Sequence, residues 1–272
     1  MMNNVENSER SFYGLGIAPK ILEVLDRMKF KVPTPIQHKA IPLGIEGKDI
    51  IGVAQTGTGK TLAFAIPVIQ RFSQTKGKCL ILAPTRELAI QVDDTFRKLM
   101  PAFGIKSLVV IGGAPMEPQI KGLKQNPRVI IATPGRLVDH MRQRTVNLSD
   151  VDTLILDEAD RMLDMGFLPD IQHILKFVPQ DRHTMLFSAT IPREIMKIAA
   201  SYMKLPVNVE VAPSGTTAEN IIQELFIIKK DSKKVLLLKL MEMYCGPILI
   251  FSRTKIGAKK IRRLIGEKGY AA

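Results

Sequence analysis

The stretch Asp49-Ile-Ile-Gly-Val-Ala-Gln-Thr-Gly-Thr-Gly-Lys-Thr61 decides the fold. Its first five residues are a short apolar run, the pattern of a strand buried on both faces. The next eight, Ala54, Gln55, Thr56, Gly57, Thr58, Gly59, Lys60 and Thr61, form a glycine-rich loop ending in Lys-Thr. Leu62, Phe64, Ala65, Ile66, Val68 and Ile69 then supply apolar side chains nearly all round a helix, which must be buried. Strand, glycine loop and helix in this order make a phosphate cradle. Glycines let main-chain N–H groups approach the oxygens, the lysine pairs with the β- and γ-phosphates, and the threonine hydroxyl ligates Mg²⁺.

A second apolar run, Thr153-Leu-Ile-Leu156, leads into Asp157, Glu158, Ala159 and Asp160. An acidic residue on a second strand end is what a triphosphate's magnesium requires. A surface helix cap is the other reading of this acidic pair, and the apolar run ahead of it argues against that. Loop and acidic strand end together point to a nucleoside triphosphate.

Outward from these two points, short apolar strands alternate with longer helical patterns. Strands are expected near 49–53, 79–83, 107–111, 129–132, 153–156, 184–187 and 207–211. Helices are expected near 17–28, 35–46, 60–72, 86–99, 117–125, 135–143, 168–177 and 193–202. This alternation predicts an α/β fold, a doubly wound parallel sheet with helices on both faces. A polar Pro- and Gly-containing stretch at 212–220 reads as a linker. Beyond it strands near 223–228 and 247–251 alternate with helices near 233–244 and 255–267, the start of a second domain that two β-α units do not complete.

The 272 residues carry a formal net charge of +13 and are 46% hydrophobic, enough for a substantial core. The charge is uneven. Residues 221–272 hold 12 Lys/Arg against 4 Asp/Glu, whereas the first 220 hold 27 against 22. The basic run Lys255, Lys259, Lys260, Arg262 and Arg263 is either a solvated helix face or a nucleic-acid surface. Tryptophan is absent, so base stacking is not expected to dominate any nucleic-acid contact. The polar first ten residues do not resemble a secretory leader, and no apolar stretch approaches membrane-spanning length. Two distant cysteines, Cys79 and Cys245, argue against a disulfide framework or zinc site. A soluble, cytoplasmic, monomeric protein is expected.

Further short motifs fall after the other expected strands: Pro84-Thr-Arg-Glu-Leu-Ala89, Gly112-Gly113, Thr133-Pro-Gly-Arg136 and Ser188-Ala-Thr190. In a parallel sheet all of them share one edge, the edge at which open α/β sheets bind ligands. With Phe30-Lys-Val-Pro-Thr-Pro-Ile-Gln37 and an isolated Phe12 upstream, the series resembles the DEAD-box RNA helicases. The resemblance implies a first RecA-like domain over residues 1–211, its motifs running from about residue 12. It also implies the linker at 212–220 and an incomplete second RecA-like domain over 221–272. Ile248-Leu-Ile-Phe-Ser-Arg-Thr254 is similar to the first motif of that second domain.

What the resemblance implies for individual residues is specific. Gln37 would read the adenine edge and Phe12 would pack on the ring face, selecting ATP. Residues 54–61 would hold the phosphates, Thr61 and Asp157 the Mg²⁺, and Glu158 would activate the attacking water. Asp160, Ser188 and Thr190 would couple nucleotide state to RNA grip, although Ser188 also reads as an ordinary helix cap. Pro84, Thr85, Arg86, Gly112, Gly113, Thr133, Pro134, Gly135 and Arg136 would hold the sugar-phosphate backbone of one RNA strand without reading its sequence. One departure stands out, Lys29 where the family usually has glycine; Ala54 stands where the strictest loop pattern has glycine, but the family commonly has alanine there. The implied activity is RNA-dependent ATP hydrolysis driving local duplex separation. The family's later arginine-rich motif is not found, so these residues alone are expected to bind nucleotide and RNA but to hydrolyse and unwind poorly. A non-enzymatic RNA-binding role and a DNA translocase on the same fold are the alternatives. A GTPase is disfavoured by the lack of a guanine-reading Asn-Lys-x-Asp sequence.

Overall fold

A computed structural model describes residues 11–211, 222 and 224–271. The chain divides into two compact units, residues 1–216 and 217–272. The expected linker at 212–220 lies outside the described residues, as does part of the strand expected at 223–228.

The first unit is built on seven parallel strands: β1 (Ile50–Val53), β2 (Lys78–Leu82), β3 (Ser107–Val110), β4 (Val129–Ala132), β5 (Val151–Leu156), β6 (His183–Ser188) and β7 (Val207–Glu210). Their order across the sheet is β3-β4-β2-β5-β6-β1-β7. Burial alternates between faces as a pleat dictates. Ile50, Cys79, Ile81, Ile155, Met185 and Phe187 enter one core layer. Ile51, Val53, Leu80, Leu82, Leu154 and Leu186 enter the other. Covered on both sides, these strands read as unbroken apolar runs.

Helices α1 (Pro19–Arg27), α2 (Pro35–Ile45), α3 (Lys60–Arg71) and α4 (Arg86–Leu99) pack over the first layer. Four more, α6 (Pro134–Arg142), α7 (Ala159–Asp164), α8 (Leu168–Leu175) and α9 (Arg193–Tyr202), cover the second, and α5 (Met116–Lys124) follows β3. Helix α4 illustrates why these segments are helical. Ala89, Val92, Phe96 and Leu99 recur at helical spacing on its buried side, Glu87 lies in its first turn, and Arg97 and Lys98 lie in its last. Thr85 caps it by accepting the Leu88 N–H at 3.3 Å. Among the described residues no helix is long and apolar enough to cross a membrane.

Register aligns the strand ends. Val53 pairs with Ser188, Leu82 with both Ala132 and Leu156, and Val110 with Ala132. The loops that follow β1 through β6 therefore emerge along one rim.

In the second unit, α10 (Lys233–Met243) and α11 (Lys255–Gly266) form where helices are expected. The expected strands do not: the described residues near 224–228 and 247–251 form neither helix nor strand. Leu225, Ile227, Leu249 and Phe251 are largely exposed. A strand requires a ladder, and two short parallel segments are too few to sustain one against water.

Candidate active site

The cradle forms as the glycine spacing demands. Gly57 and Gly59 hold φ of 85° and 86°, the left-handed region that other residues enter at a cost. A Cβ on Gly59 would also collide with the Gln37 amide. Gly59 is the N-cap of α3, so Lys60 and Thr61 open that helix with its free N–H groups and positive dipole end.

A cleft of about 530 Å³ lies over this helix start. Gln37, Thr56, Gly57, Gly59, Lys60, Thr61, Asp157 and Glu158 line it together, so residues from the loops after β1 and β5 meet. The Lys60 ammonium, buried, donates to the Ala54 carbonyl at 2.9 Å. Thr58 turns away and donates to the Gln55 carbonyl at 2.7 Å.

Asp157 is buried, and its Oδ1 has no hydrogen-bond partner among the described residues. Burial pushes its carboxyl up to about 6, with Lys60 opposing the shift and Glu158 adding to it. An unsatisfied buried carboxylate that lines one cleft with the Thr61 hydroxyl is a fitting place for a cation. Among the described residues no cluster of three or more His, Cys, Asp or Glu could enclose a metal by itself.

Glu158 stands at φ 51°, ψ 53°, a left-handed conformation rare outside glycine. Its Oε1 accepts from the Thr56 hydroxyl at 3.2 Å, and its Oε2 pairs with Arg161 at 3.2 Å. Strain of this kind, held by two partners, gathers at working sites. Arg161 went unmarked in the sequence; its one clue is the i+3 spacing from Glu158 on α7, itself too short to show a period.

Phe12 does not stand at the cleft, where it was expected. It is only 2% exposed and packs in the core. An apolar side chain following a short polar start has more to gain from the core than from the rim. The aromatic that lines the cleft is Phe30, 39% exposed, inside the same stretch that carries Gln37. Gln37 reaches back to accept the Thr34 N–H at 2.9 Å and donates to the Gly59 carbonyl at 2.9 Å. These bonds leave one amide hydrogen and one lone pair free for a ligand. Lys29, where glycine is usual, takes φ 63° at the end of α1, and the Phe30 N–H bonds to the Leu25 carbonyl across it.

Asp160 links two loops. Its N–H donates to Ser188 Oγ at 3.0 Å, and its Oδ2 accepts from both the N–H and the hydroxyl of Thr190 at 2.9 Å. Burial works to raise its carboxyl, but bonds from Ser188 and Thr190 outweigh that and hold it below its ordinary value.

Further along the rim, past β2, stand Pro84, Thr85, Arg86, Gly112, Gly113, Thr133, Pro134, Gly135 and Arg136. The Gly112 N–H donates to the Thr133 hydroxyl at 3.3 Å, and Arg136 donates to the Ala114 carbonyl at 2.8 Å. Gly113 adopts φ 72°, where an added Cβ would strike the exposed Arg86 guanidinium.

The comparisons agree with this architecture. The sequence profile of the DEAD/DEAH box helicases matches residues 34–198, and the chain belongs to that family. It is 44% identical over 264 residues to an ATP-dependent RNA helicase CshA of Listeria monocytogenes, covering 96% of this chain and 51% of that one. It is 42% identical over 271 residues to an ATP-dependent rRNA helicase RRP3 of Yarrowia lipolytica, covering 98% and 56%. The crystal structure of a DEAD box protein from the hyperthermophile Methanococcus jannaschii superposes with a TM-score of 0.71 at 37% identity, covering 96% of this chain and 71% of that one. The first unit is thus a RecA-like α/β domain. The chain spans about half the length of the curated relatives it matches.

Proposed function

We propose that this chain is the nucleotide-binding part of an ATP-dependent RNA helicase, which hydrolyses ATP in response to RNA and separates short duplexes. The observation that carries the reading is the meeting of Lys60, Thr61, Asp157 and Glu158 with Gln37 in one cleft. Gln37 supports adenine, since its free N–H and lone pair match the donor–acceptor pair on that base's edge. Phe30 is the ring that would cover it, in place of Phe12. The 40–44% identical relatives named as ATP-dependent RNA helicases support ATP and RNA as ligands.

In the proposed mechanism the loop N–H groups and Lys60 bind the phosphates, and Lys60 leaves the Ala54 carbonyl to do so. Thr61 and Asp157 would hold Mg²⁺, which when bound offsets phosphate charge. Glu158, fixed by Thr56 and Arg161, orients a water and accepts its proton. The Asp160–Ser188–Thr190 bonds carry the state of the cleft from the loop after β5 to the loop after β6. The row from Pro84 to Arg136 grips a ribose-phosphate backbone. Residues 1–211 form the working domain, 212–220 a linker and 221–272 part of a second domain, in a monomeric cytoplasmic protein.

No arginine of the first unit lines the cleft among the described residues, and arginines on the transferring phosphate are worth about 10³–10⁵ in rate. The 272 residues alone should therefore bind fluorescent ADP, and single-stranded RNA in preference to DNA, with little ATP turnover. Brisk RNA-stimulated hydrolysis by this chain would contradict the arginine argument. Equal binding of DNA and RNA would contradict the RNA reading.

A further inference from the structure

The segment 111–115, which carries Gly112 and Gly113, is held from below by a buried polar chain. Gln119 on α5 is 6% exposed, and its Nε2 donates to two carbonyls, Ile111 at 3.1 Å and Pro115 at 3.2 Å. One amide group thus spans the base of the loop. Because both partners are carbonyl oxygens, the amide orientation is fixed, with Nε2 toward the loop and Oε1 away from it. Oε1 faces His140 Nε2 at 3.3 Å. An amide oxygen only accepts, so His140 must carry its hydrogen on Nε2. His140 is fully buried on α6, and its Nδ1 meets the Thr145 hydroxyl at 2.7 Å.

Helix α6 opens with Thr133-Pro-Gly-Arg136, and two of those residues hold the same loop from the other side, Thr133 at Gly112 and Arg136 at Ala114. The loop after β3 and the loop after β4 are therefore clamped into one rigid piece.

We propose that Gln119 is a positioning residue for RNA binding, and that His140 orients it by donating to its amide oxygen. This rests on the reading of Gly112 and Gly113 as RNA-backbone contacts. A loop that meets a phosphate backbone through its main chain binds well only when its conformation is held in place beforehand. Gln119 and His140 touch no RNA; they fix the geometry of the groups that do. Burial, with the Arg136 charge adding, pushes the His140 pKa down, so the imidazole is neutral with a single ring hydrogen to place.

The test is fluorescence anisotropy with a labelled single-stranded oligouridylate and, separately, fluorescent ADP, on the full 272-residue chain. Gln119→Glu keeps the side-chain shape but replaces both donors with acceptors facing carbonyls. His140→Phe removes the orienting donor, whereas His140→Gln restores an N–H at the same reach. Gln119→Glu and His140→Phe should each weaken RNA binding about tenfold. ADP affinity should be unchanged, and His140→Gln should bind RNA as the parent does. Arg86→Ala, at the exposed rim, checks the RNA surface independently. If Arg86→Ala weakens RNA binding and Gln119→Glu does not, the positioning role is wrong. If neither does, the RNA surface itself is wrong. Parallel loss of RNA and ADP binding would mark Gln119 as a general support of the fold and overturn its specific role.

Discussion

The two ends of one sheet rim are finished differently. At the β1–β5 end, charged groups are buried and left wanting: Asp157 Oδ1 has no partner, its carboxyl is pushed up, and Glu158 is bent into a left-handed turn. At the β3–β4 end the loops are tied to each other, Gly112 to Thr133 and Ala114 to Arg136, and the buried atom without a hydrogen-bond partner there is the Arg136 Nε, on a cation 3.8 Å from the Asp139 carboxylate. On the proposed reading the first end would be completed by a highly charged ligand that repays its desolvation. The second is preformed, a loop pair whose shape is set by its own hydrogen bonds. A nucleotide with its cation suits the first, and a sequence-blind grip on a polyanion suits the second.

The contrast breaks most visibly at Lys60. Lys60→Ala removes the buried ammonium from the nucleotide end and should weaken fluorescent-ADP binding by about a hundredfold or more. RNA affinity measured without nucleotide should hardly change; equal loss of both would erase the distinction between the two ends.

Asp157 gives the next largest effect. Its carboxyl must ionise to help a cation, so affinity for ADP with Mg²⁺ should fall about tenfold from about pH 7 to about pH 5, and Asp157→Asn should flatten that profile. The stability sign follows from the same shift. A carboxyl whose folded value is raised from 3.8 to about 6 binds its proton more tightly in the native state, so stability falls as pH rises through that window. Chemical denaturation should find Asp157→Asn gaining about 1–3 kcal/mol relative to the parent between about pH 4 and about pH 7.

The preformed end should respond more gently. Thr133→Val deletes the hydroxyl that holds the Gly112 N–H and should cost about three- to tenfold in RNA affinity, with ADP binding intact. Smallest is Lys29→Gly, which relieves the left-handed lysine after α1 and should raise stability by up to about 1 kcal/mol, read from the denaturation midpoint.

Much of this was legible in the sequence because parallel strands buried on both faces leave unbroken apolar runs. All seven strands of the first unit fall where Ile50, Leu80, Leu154 and their neighbours placed them, with ends shifted by a residue or two. Helix α7 was not legible, since six residues cannot display a 3.6-residue period. The strands expected at 223–228 and 247–251 misled for a different reason: an apolar run records a tendency to be buried, and pairing depends on neighbours. Phe12 and Phe30 were confused because an aromatic has the same sequence signal in a core and at a cleft. Lys29 was flagged by its departure from glycine, and the backbone shows the departure met by strain. Gln119 and His140 carried no signal, because their meaning lies in bonds between α5 and α6 that no local pattern encodes.

The central claim is that Lys60 and Asp157 serve one metal-bound nucleotide. The most direct measurement is a fluorescent-ADP titration at fixed ionic strength, with and without Mg²⁺, on the parent chain and on Asp157→Asn. Mg²⁺ should tighten ADP binding to the parent and leave Asp157→Asn nearly unmoved; the same tightening in both proteins would contradict the claim.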